Sequence, residues 1–186
     1  MRKMRLVQMK RRAVIGVAAA AVLIAGAFLA NSVLRPGCSL LPVTLPQDPS
    51  GRTVSATREQ VCAALGRPLP EAKVLPDRVQ TTGAFIGGPP VGMIFVSVGY
   101  TQDGHGVGFL EITHQPTNAI PEGNKGEVNG TVAGVPAIIK GARSGSQDAD
   151  QVDYLWVRDG LEFILHMQLG PGLTREAVDA MAASIQ

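Results

Sequence analysis

Residues 152–186 read VDYLWVRDGLEFILHMQLGPGLTREAVDAMAASIQ, and this stretch decides the fold. Asp159-Gly160 predicts a type I′ turn, because both central residues of that turn have positive φ and Asp-Gly tolerates it. The turn fixes the register of a hairpin in which Trp156 faces Phe163. Directly opposed residues share one face of a sheet, so a single apolar surface is predicted. It consists of Val152, Tyr154, Trp156, Phe163, Leu165 and Met167.

A helix is predicted immediately after this hairpin. Gly170-Pro171-Gly172 ends the second strand, and Thr174 is placed to cap a helix. Leu173 before the cap and Val178 at the fourth helical position have the spacing of a hydrophobic staple. Because so short a helix is marginal alone, we expect it to dock on the apolar face of the hairpin. Its own apolar stripe comprises Val178, Met181, Ala182 and Ile185.

The net charge of +2 is unevenly distributed along the 186 residues. Six positive charges and no acid fall within residues 1–12, so the rest of the chain carries +2 less 6, a net charge of −4. A mildly acidic domain lacks the basic surface that nucleic acid requires, so no nucleic-acid partner is expected. The six basic residues are Arg2, Lys3, Arg5, Lys10, Arg11 and Arg12.

Residues 13–30, AVIGVAAAAVLIAGAFLA, are uncharged and apolar. Such a run after a basic cluster is either a transmembrane anchor or a secretory signal. As a signal, the run offers Ala25-Gly26-Ala27 as an A-x-A cleavage site, and cleavage after Ala27 would release a secreted protein. As an anchor, the uncleaved run is about long enough to span a bilayer. In both cases residues 1–12 form a cytoplasmic tail and everything after residue 30 is extracytoplasmic. We therefore expect a single-pass protein of the cell membrane, or a secreted one.

Composition divides the rest of the chain into a tether and one domain. Four prolines within residues 36–52 predict an extended tether over 31–53. A capping box at Thr57-x-x-Gln60 predicts a short helix over about 57–65. For residues 54–186 we expect an α+β fold, an antiparallel sheet of five to seven strands with the C-terminal helix and the short N-terminal helix packed on one face.

Two further regions supply strands to this sheet. Met93–Tyr100 and Val107–His114 are β-branched and aromatic runs, and they predict a second hairpin around a glycine-rich turn that leaves the register open. Val128–Lys140 includes the turn dipeptide Ala133-Gly134 and predicts one or two short strands. Pro136 is expected at an edge or bend, because proline cannot donate to a sheet ladder.

Cys38 and Cys62 are the two cysteines of the chain. Outside the membrane, an even pair is more often a disulfide than a metal or redox site. A bridge would join the tether to the first helix, and loop-closure entropy gives it about 3 kcal/mol of stabilisation. The alternative is two unpaired thiols, one of them buried on the helix.

The three histidines are the residues best suited to catalysis or metal binding, but they do not form a recognisable motif. His105 lies in a glycine-rich turn, where solvent exposure is expected. A metal site would need His114, His166 and a carboxylate such as Glu111 to converge; no short spacing requires this, so neither a metal nor another cofactor is expected. Asp153 opposes His166 across the hairpin like an orienting carboxylate beside a catalytic base, although a cross-strand charge pair is the simpler interpretation.

Two other motifs have ordinary explanations. Gly104-x-Gly106-x-Gly108 is not followed by the helix that a phosphate-binding loop needs. Asn129-Gly130-Thr131 matches a glycosylation sequon, but in a sequence of bacterial character a turn is the sufficient explanation. No catalytic motif stands out, and we expect a protein that is not an enzyme.

A spaced pattern runs through the terminal stretch: Trp156, Asp159-Gly160, Phe163 and Leu165, then Leu173-x-x-Glu176 and Ala182-Ala183-Ser184-Ile185. It is similar to an uncharacterised extracytoplasmic domain found at the C-termini of many anti-sigma-factor-like bacterial membrane proteins. The similarity covers the last third of the chain, and residues 110–113 match more weakly. It implies a membrane-tethered sensory or binding domain without catalytic residues. Anti-sigma factors hold their partner with a cytoplasmic domain, whereas only twelve residues precede the apolar run here. A signalling role would therefore need a separate partner.

The function expected from these patterns is a membrane-tethered extracytoplasmic module that binds a protein or a small apolar ligand and performs no catalysis. One alternative is a carrier of lipid or another apolar ligand, and another is a secreted hydrolase that uses Asp153 and His166. Residues of the terminal stretch are assigned a structural role: Trp156, Asp159, Gly160, Phe163 and Thr174.

Overall fold

The structure is a computed structural model. The predicted cytoplasmic tail, the anchor or signal segment and most of the tether lie outside the residues it describes. No helix within the described part of the chain is long and apolar enough to cross a membrane. The described residues are 38, 43–46, 52–88, 93–115, 117, 119–141 and 150–186.

Eight strands form one antiparallel sheet, in the spatial order β1-β2-β3-β4-β8-β7-β6-β5. Consecutive strands are neighbours except after β4, where the chain passes through a 3₁₀ helix, Glu122–Glu127, to the far edge of the sheet. The terminal hairpin then returns to the centre, and β8 pairs with β4. The strands are β1 Val54–Ser55, β2 Val79–Gly87, β3 Phe95–Gln102, β4 His105–His114, β5 Gly130–Val132, β6 Val135–Gly141, β7 Gln151–Arg158 and β8 Leu161–Gln168.

Two helices, α1 Arg58–Leu65 and α2 Arg175–Ser184, cover one face of this sheet, called the inner face below. The Thr57 hydroxyl accepts a hydrogen bond from the backbone N–H of Gln60, whose side chain accepts one from the Thr57 N–H, so the capping box is complete. The Thr174 hydroxyl caps α2 by accepting a hydrogen bond from the Ala177 N–H. The predicted class, an antiparallel sheet with two helices on one face, is therefore confirmed.

The terminal hairpin has the register that the Asp-Gly turn predicts. Asp159 and Gly160 have φ of 54° and 74°, and Trp156 pairs with Phe163. Both aromatic side chains are buried on the inner face with the apolar stripe of α2. The remaining apolar inner-face residues of the hairpin are Val152, Tyr154, Leu161, Leu165 and Met167.

The predicted count of five to seven strands is too low, mainly because β2 carries little strand signal. It begins Val79-Gln-Thr-Thr and contains Gly83 at φ 114°, and its pairing with β3 is interrupted between Thr81 and Ala84. Such a bulge breaks the period of two by which a strand is recognised. The second hairpin also turns more tightly than expected, at Asp103-Gly104, so its strands extend to Gln102 and from His105.

Cys38 and Cys62 form a disulfide with their Cα atoms 5.7 Å apart. The bridge connects residue 38 to the buried side of α1. A hydrogen bond from Gln60 Nε2 to the carbonyl oxygen of Thr44, 3.2 Å long, connects the preceding segment to the same helix. Described residues of the tether are thus attached to α1 at two points.

Candidate functional site

A groove of about 830 Å³ opens on the inner face, between α1, the segment 67–75 and strands β2 and β3. Its volume falls in the range of small-molecule sites in proteins. We call it the inner groove. The fold produces it because α2 covers the terminal hairpin while the shorter α1 contacts β2 and β3.

The floor and walls of the inner groove are mainly apolar. Ala84 and Val98 form the floor on β2 and β3, where their side chains point to the inner face. Val61 contributes the α1 wall, and Leu69 and Leu75 contribute the facing wall from the segment 67–75. The groove therefore offers apolar surface to a ligand.

Tyr100 on β3 lines the inner groove and is only 2% exposed. No described residue forms a hydrogen bond with its hydroxyl group, and this oxygen is not among the fully enclosed polar atoms without a partner, so it is open to the groove. Burial, and secondarily the nearby carboxylate of Glu71, raises the pKa of this phenol. The hydroxyl thus stays protonated at neutral pH and is an unused hydrogen-bond donor and acceptor at the floor of the groove.

The segment 67–75 is held in place by the C-terminal end of the chain. The Glu71 N–H donates to the Gln186 carbonyl at 3.0 Å, and the Gln186 N–H donates back to the Glu71 carbonyl at 3.2 Å. The Val74 N–H donates to the Ser184 hydroxyl at 3.0 Å. This short antiparallel clasp gives one wall of the groove a fixed backbone, which a preformed binding site requires.

Charged side chains at the inner groove are predominantly basic. Arg58, Arg67 and Lys73 line it together with one carboxylate side chain, that of Glu71. Arg67 lies 3.9 Å from a carboxylate oxygen of Asp159, a long and partly exposed ion pair. Within the described residues, Arg58 and Lys73 have no ion-pair partner. Basic side chains therefore outnumber carboxylate side chains three to one in the lining of this apolar groove.

The predicted Asp153–His166 pair forms on the opposite, outer face of the sheet. The Oδ1 atom of Asp153 lies 2.6 Å from Nδ1 of His166, and the Gln151 side chain donates to Oδ2 of Asp153 at 3.2 Å. The imidazole stacks on Phe109 at 5.1 Å between ring centroids. No serine, threonine or cysteine of the described chain hydrogen-bonds to His166. The geometry is that of a cross-strand pair seated on an aromatic ring.

Two carboxylates lie near the middle of the outer face. Glu111 on β4 is paired with Ile164 of β8, and Glu162 of β8 is paired with Thr113 of β4, so the two acids are diagonal neighbours. Partial burial raises the pKa of Glu111, and the Glu162 carboxylate adds to the shift. Both acids lack an ion-pair partner among the residues described.

The other residues considered for chemistry remain apart. His105 begins β4 and His114 ends it, and both side chains are exposed. Among the described residues, no three histidine, cysteine or carboxylate groups are close enough to hold a metal ion. Gly104, Gly106 and Gly108 belong to the turn and first half of β4, with no helix after them.

Sequence reasoning did not find the inner groove. The segment 67–75 has no helical or strand periodicity, so its place against β2 and β3 could not be read from the pattern. One signal was available. In MIFVSVGY the alternation of Val96, Val98 and Tyr100 puts a phenol hydroxyl on the face expected to be apolar. A buried tyrosine at such a position calls for a hydrogen-bond partner.

Comparison with known proteins identifies no relative. Neither a protein-family model, nor a curated protein, nor a solved structure matches the chain.

Proposed function

We propose that the protein is an extracytoplasmic module that binds one small apolar or amphipathic molecule in the inner groove and performs no chemistry on it. The observation that carries this proposal is the Tyr100 hydroxyl, which opens onto the floor of an apolar groove from a largely buried residue and has no partner among the described residues. A ligand that hydrogen-bonds to this hydroxyl would gain about 0.5–1.5 kcal/mol from the bond.

The membrane tether belongs to the same proposal. Residues 13–30 would anchor the chain as a single transmembrane helix, with residues 1–12 in the cytoplasm and the domain outside, unless cleavage after Ala27 releases it. Support comes from the basic cluster next to the apolar run in the sequence. A binding domain held at a membrane fits either a carrier of apolar molecules or, as the resemblance to anti-sigma-factor-like proteins implies, a sensor that passes ligand occupancy to a separate protein partner.

The test blocks the inner groove with a bulky substitution and identifies the apolar compounds that co-purify with the protein. Ala84→Phe places an aromatic ring on the groove floor, and Ala180→Phe, on the exposed side of α2, is the matched control. The full chain and both variants are purified identically, and their organic extracts are compared by mass spectrometry. Lipid bound to the anchor is expected in all three extracts, so it makes no difference between them.

We expect at least one apolar compound in the extracts of the wild type and of Ala180→Phe that is depleted in Ala84→Phe. Circular dichroism and thermal unfolding verify that both variants are folded. If Ala84→Phe does not fold, Leu69→Glu, in the segment 67–75, replaces it as the groove variant. Identical extracts from the wild type and a folded groove variant would show that the inner groove is not a binding site.

A further inference from the structure

We infer that the inner groove selects an amphiphile with one apolar chain and an oxyanion head, a carboxylate or a phosphate, which Arg58 and Lys73 contact from opposite walls. This inference rests on the function proposed above and names the class of ligand. The groove combines three features that such a molecule needs: an apolar channel, a hydrogen-bond donor, and two basic side chains without an ion-pair partner among the described residues.

The positive charge is placed on both sides of the groove. Arg58 is the first residue of α1, and Lys73 belongs to the facing segment 67–75. In the described part of the chain neither forms an ion pair, and the Glu59 carboxylate next to Arg58 in the sequence interacts with it electrostatically. An oxyanion between the two walls would be contacted by both, and an arginine suits it because its guanidinium donates two parallel hydrogen bonds to carboxylate or phosphate.

The hydrogen-bonding character of Tyr100 agrees with this head group. Its phenol is protonated, because burial and the Glu71 carboxylate both oppose ionisation and raise its pKa. A protonated hydroxyl donates to a carboxylate or phosphate oxygen, as the nitrogen atoms of Arg58 and Lys73 do. Tyr100, Arg58, Arg67 and Lys73 are therefore donors at the groove beside the acceptor Glu71, and a ligand rich in acceptor oxygens would pair with them.

The competing head groups fit less well. A cationic head would face three basic side chains, Arg58, Arg67 and Lys73, and have one carboxylate side chain, that of Glu71, to pair with. A neutral alcohol would give Arg58 and Lys73 no anionic partner in the groove. The groove volume of about 830 Å³ falls within the range for one small-molecule ligand, and so favours a single-chain amphiphile.

The experiment compares two photoactivatable probes that differ in the head group alone. One is a saturated straight-chain fatty acid with a diazirine in its chain, and the other is the corresponding fatty alcohol. The full chain is irradiated with each probe at about pH 8, where a carboxylic acid is ionised. Labelling of the peptides that carry residues 67–75 and 79–87 is quantified by mass spectrometry, as the ratio of acid to alcohol.

Three proteins are compared: the wild type, the double variant Arg58→Gln/Lys73→Gln, and the control Arg52→Gln/Lys125→Gln. The control removes one arginine and one lysine, both exposed and both outside the groove. We expect the acid to label the groove of the wild type and of the control more strongly than the alcohol does. In Arg58→Gln/Lys73→Gln the acid-to-alcohol ratio should fall by about three- to tenfold, as the loss of two partly exposed ion pairs predicts.

The outcomes separate the two proposals. Groove peptides labelled by neither probe would overturn the proposed function, and this inference with it. Equal labelling by acid and alcohol in the wild type would overturn the inference alone and leave a groove for neutral apolar ligands. A preference for the acid that persists in Arg58→Gln/Lys73→Gln would show that these two cations do not recognise the head group.

Discussion

The indole ring of Trp156 on β7 stacks on the ring of Phe163 on β8, with 5.0 Å between centroids and 5° between ring planes. Trp156 is 1% exposed. Its Nε1–H has no hydrogen-bond partner among the described residues, so the side chain is held by apolar contacts. Since the residues packed with this pair include the apolar stripe of α2, the two rings connect the central hairpin to the helix that covers it.

We predict that Trp156→Ala lowers the free energy of unfolding by about 3–5 kcal/mol, because it leaves a large cavity in the core. Trp156→Phe should cost much less, since it keeps an aromatic ring and removes an N–H group that has no acceptor. Urea unfolding followed by circular dichroism measures both. Met93→Ala is the control at an exposed apolar position and should change stability by no more than about 0.5 kcal/mol. A Trp156→Ala variant as stable as the wild type would contradict the burial of this ring.

A second connection between the hairpin and α2 is polar. The Tyr154 hydroxyl donates a 2.5 Å hydrogen bond to Oδ1 of Asp179, which also accepts one from Nε of Arg175 at 3.1 Å. Burial raises the pKa of the Tyr154 phenol, and its hydrogen bond to Asp179 raises it further, so the hydroxyl remains a donor at neutral pH.

Tyr154→Phe should therefore lower the free energy of unfolding by about 1–2 kcal/mol. This is the low end of the range for a hydrogen bond to a charged group, because Asp179 is partly exposed. A double-mutant cycle with Asp179→Ala isolates the pair. Additive effects of the two substitutions would mean that the hydrogen bond contributes nothing to stability.

The sequence predicts best the elements whose local chemistry and side-chain period agree. Asp159-Gly160 fixes the terminal hairpin to single-residue accuracy, and Thr57 and Thr174 mark the starts of both helices. In each case a residue type performs a local task that few others perform as well. The class of fold follows, because an apolar strand face and an amphipathic helix beside it in the chain must cover each other.

What the sequence does not predict depends on contacts between distant residues. The bulge between Thr81 and Ala84 hides β2, and the segment 67–75 takes its position from pairing with Ser184–Gln186, more than a hundred residues later. The inner groove exists only once these parts have met. Tyr100 was visible as an inner-face residue, but the absence of a partner for its hydroxyl is a property of the folded chain.

The disulfide provides a third prediction. Cys38 and Cys62 are separated by 24 residues, and a loop of this size gives about 3 kcal/mol in the chain-entropy description of disulfide stabilisation. Cys38→Ser/Cys62→Ser should lower the free energy of unfolding by about this amount, and reduction of the wild type should have the same effect. Peptide mapping without reductant tests the bridge directly. Free thiols at both positions in protein recovered from outside the cytoplasm would contradict it.

The outer face supplies a prediction about pH. The pKa of Glu111 is raised in the folded protein, first by burial and then by the neighbouring Glu162, so the folded state binds this proton more tightly than the unfolded state does. Ionisation of Glu111 therefore destabilises the folded state as the pH rises from below 4.5, the usual pKa of this carboxyl, through its raised pKa in the folded protein. Glu176 has the opposite shift, because its own backbone N–H and the Thr174 hydroxyl at the start of α2 lower its pKa.

Glu111→Gln removes the charge and keeps the shape, so we expect it to be more stable than the wild type at neutral pH. This advantage should shrink as pH falls below 4.5, where the wild-type carboxyl is protonated as well. Glu176→Gln should behave with the opposite sign: less stable than the wild type at neutral pH, with the difference disappearing in acid. Urea unfolding of the three proteins across a pH series measures both differences. A Glu111→Gln variant that is destabilised at neutral pH would show that the ionised carboxylate has a favourable partner on the outer face.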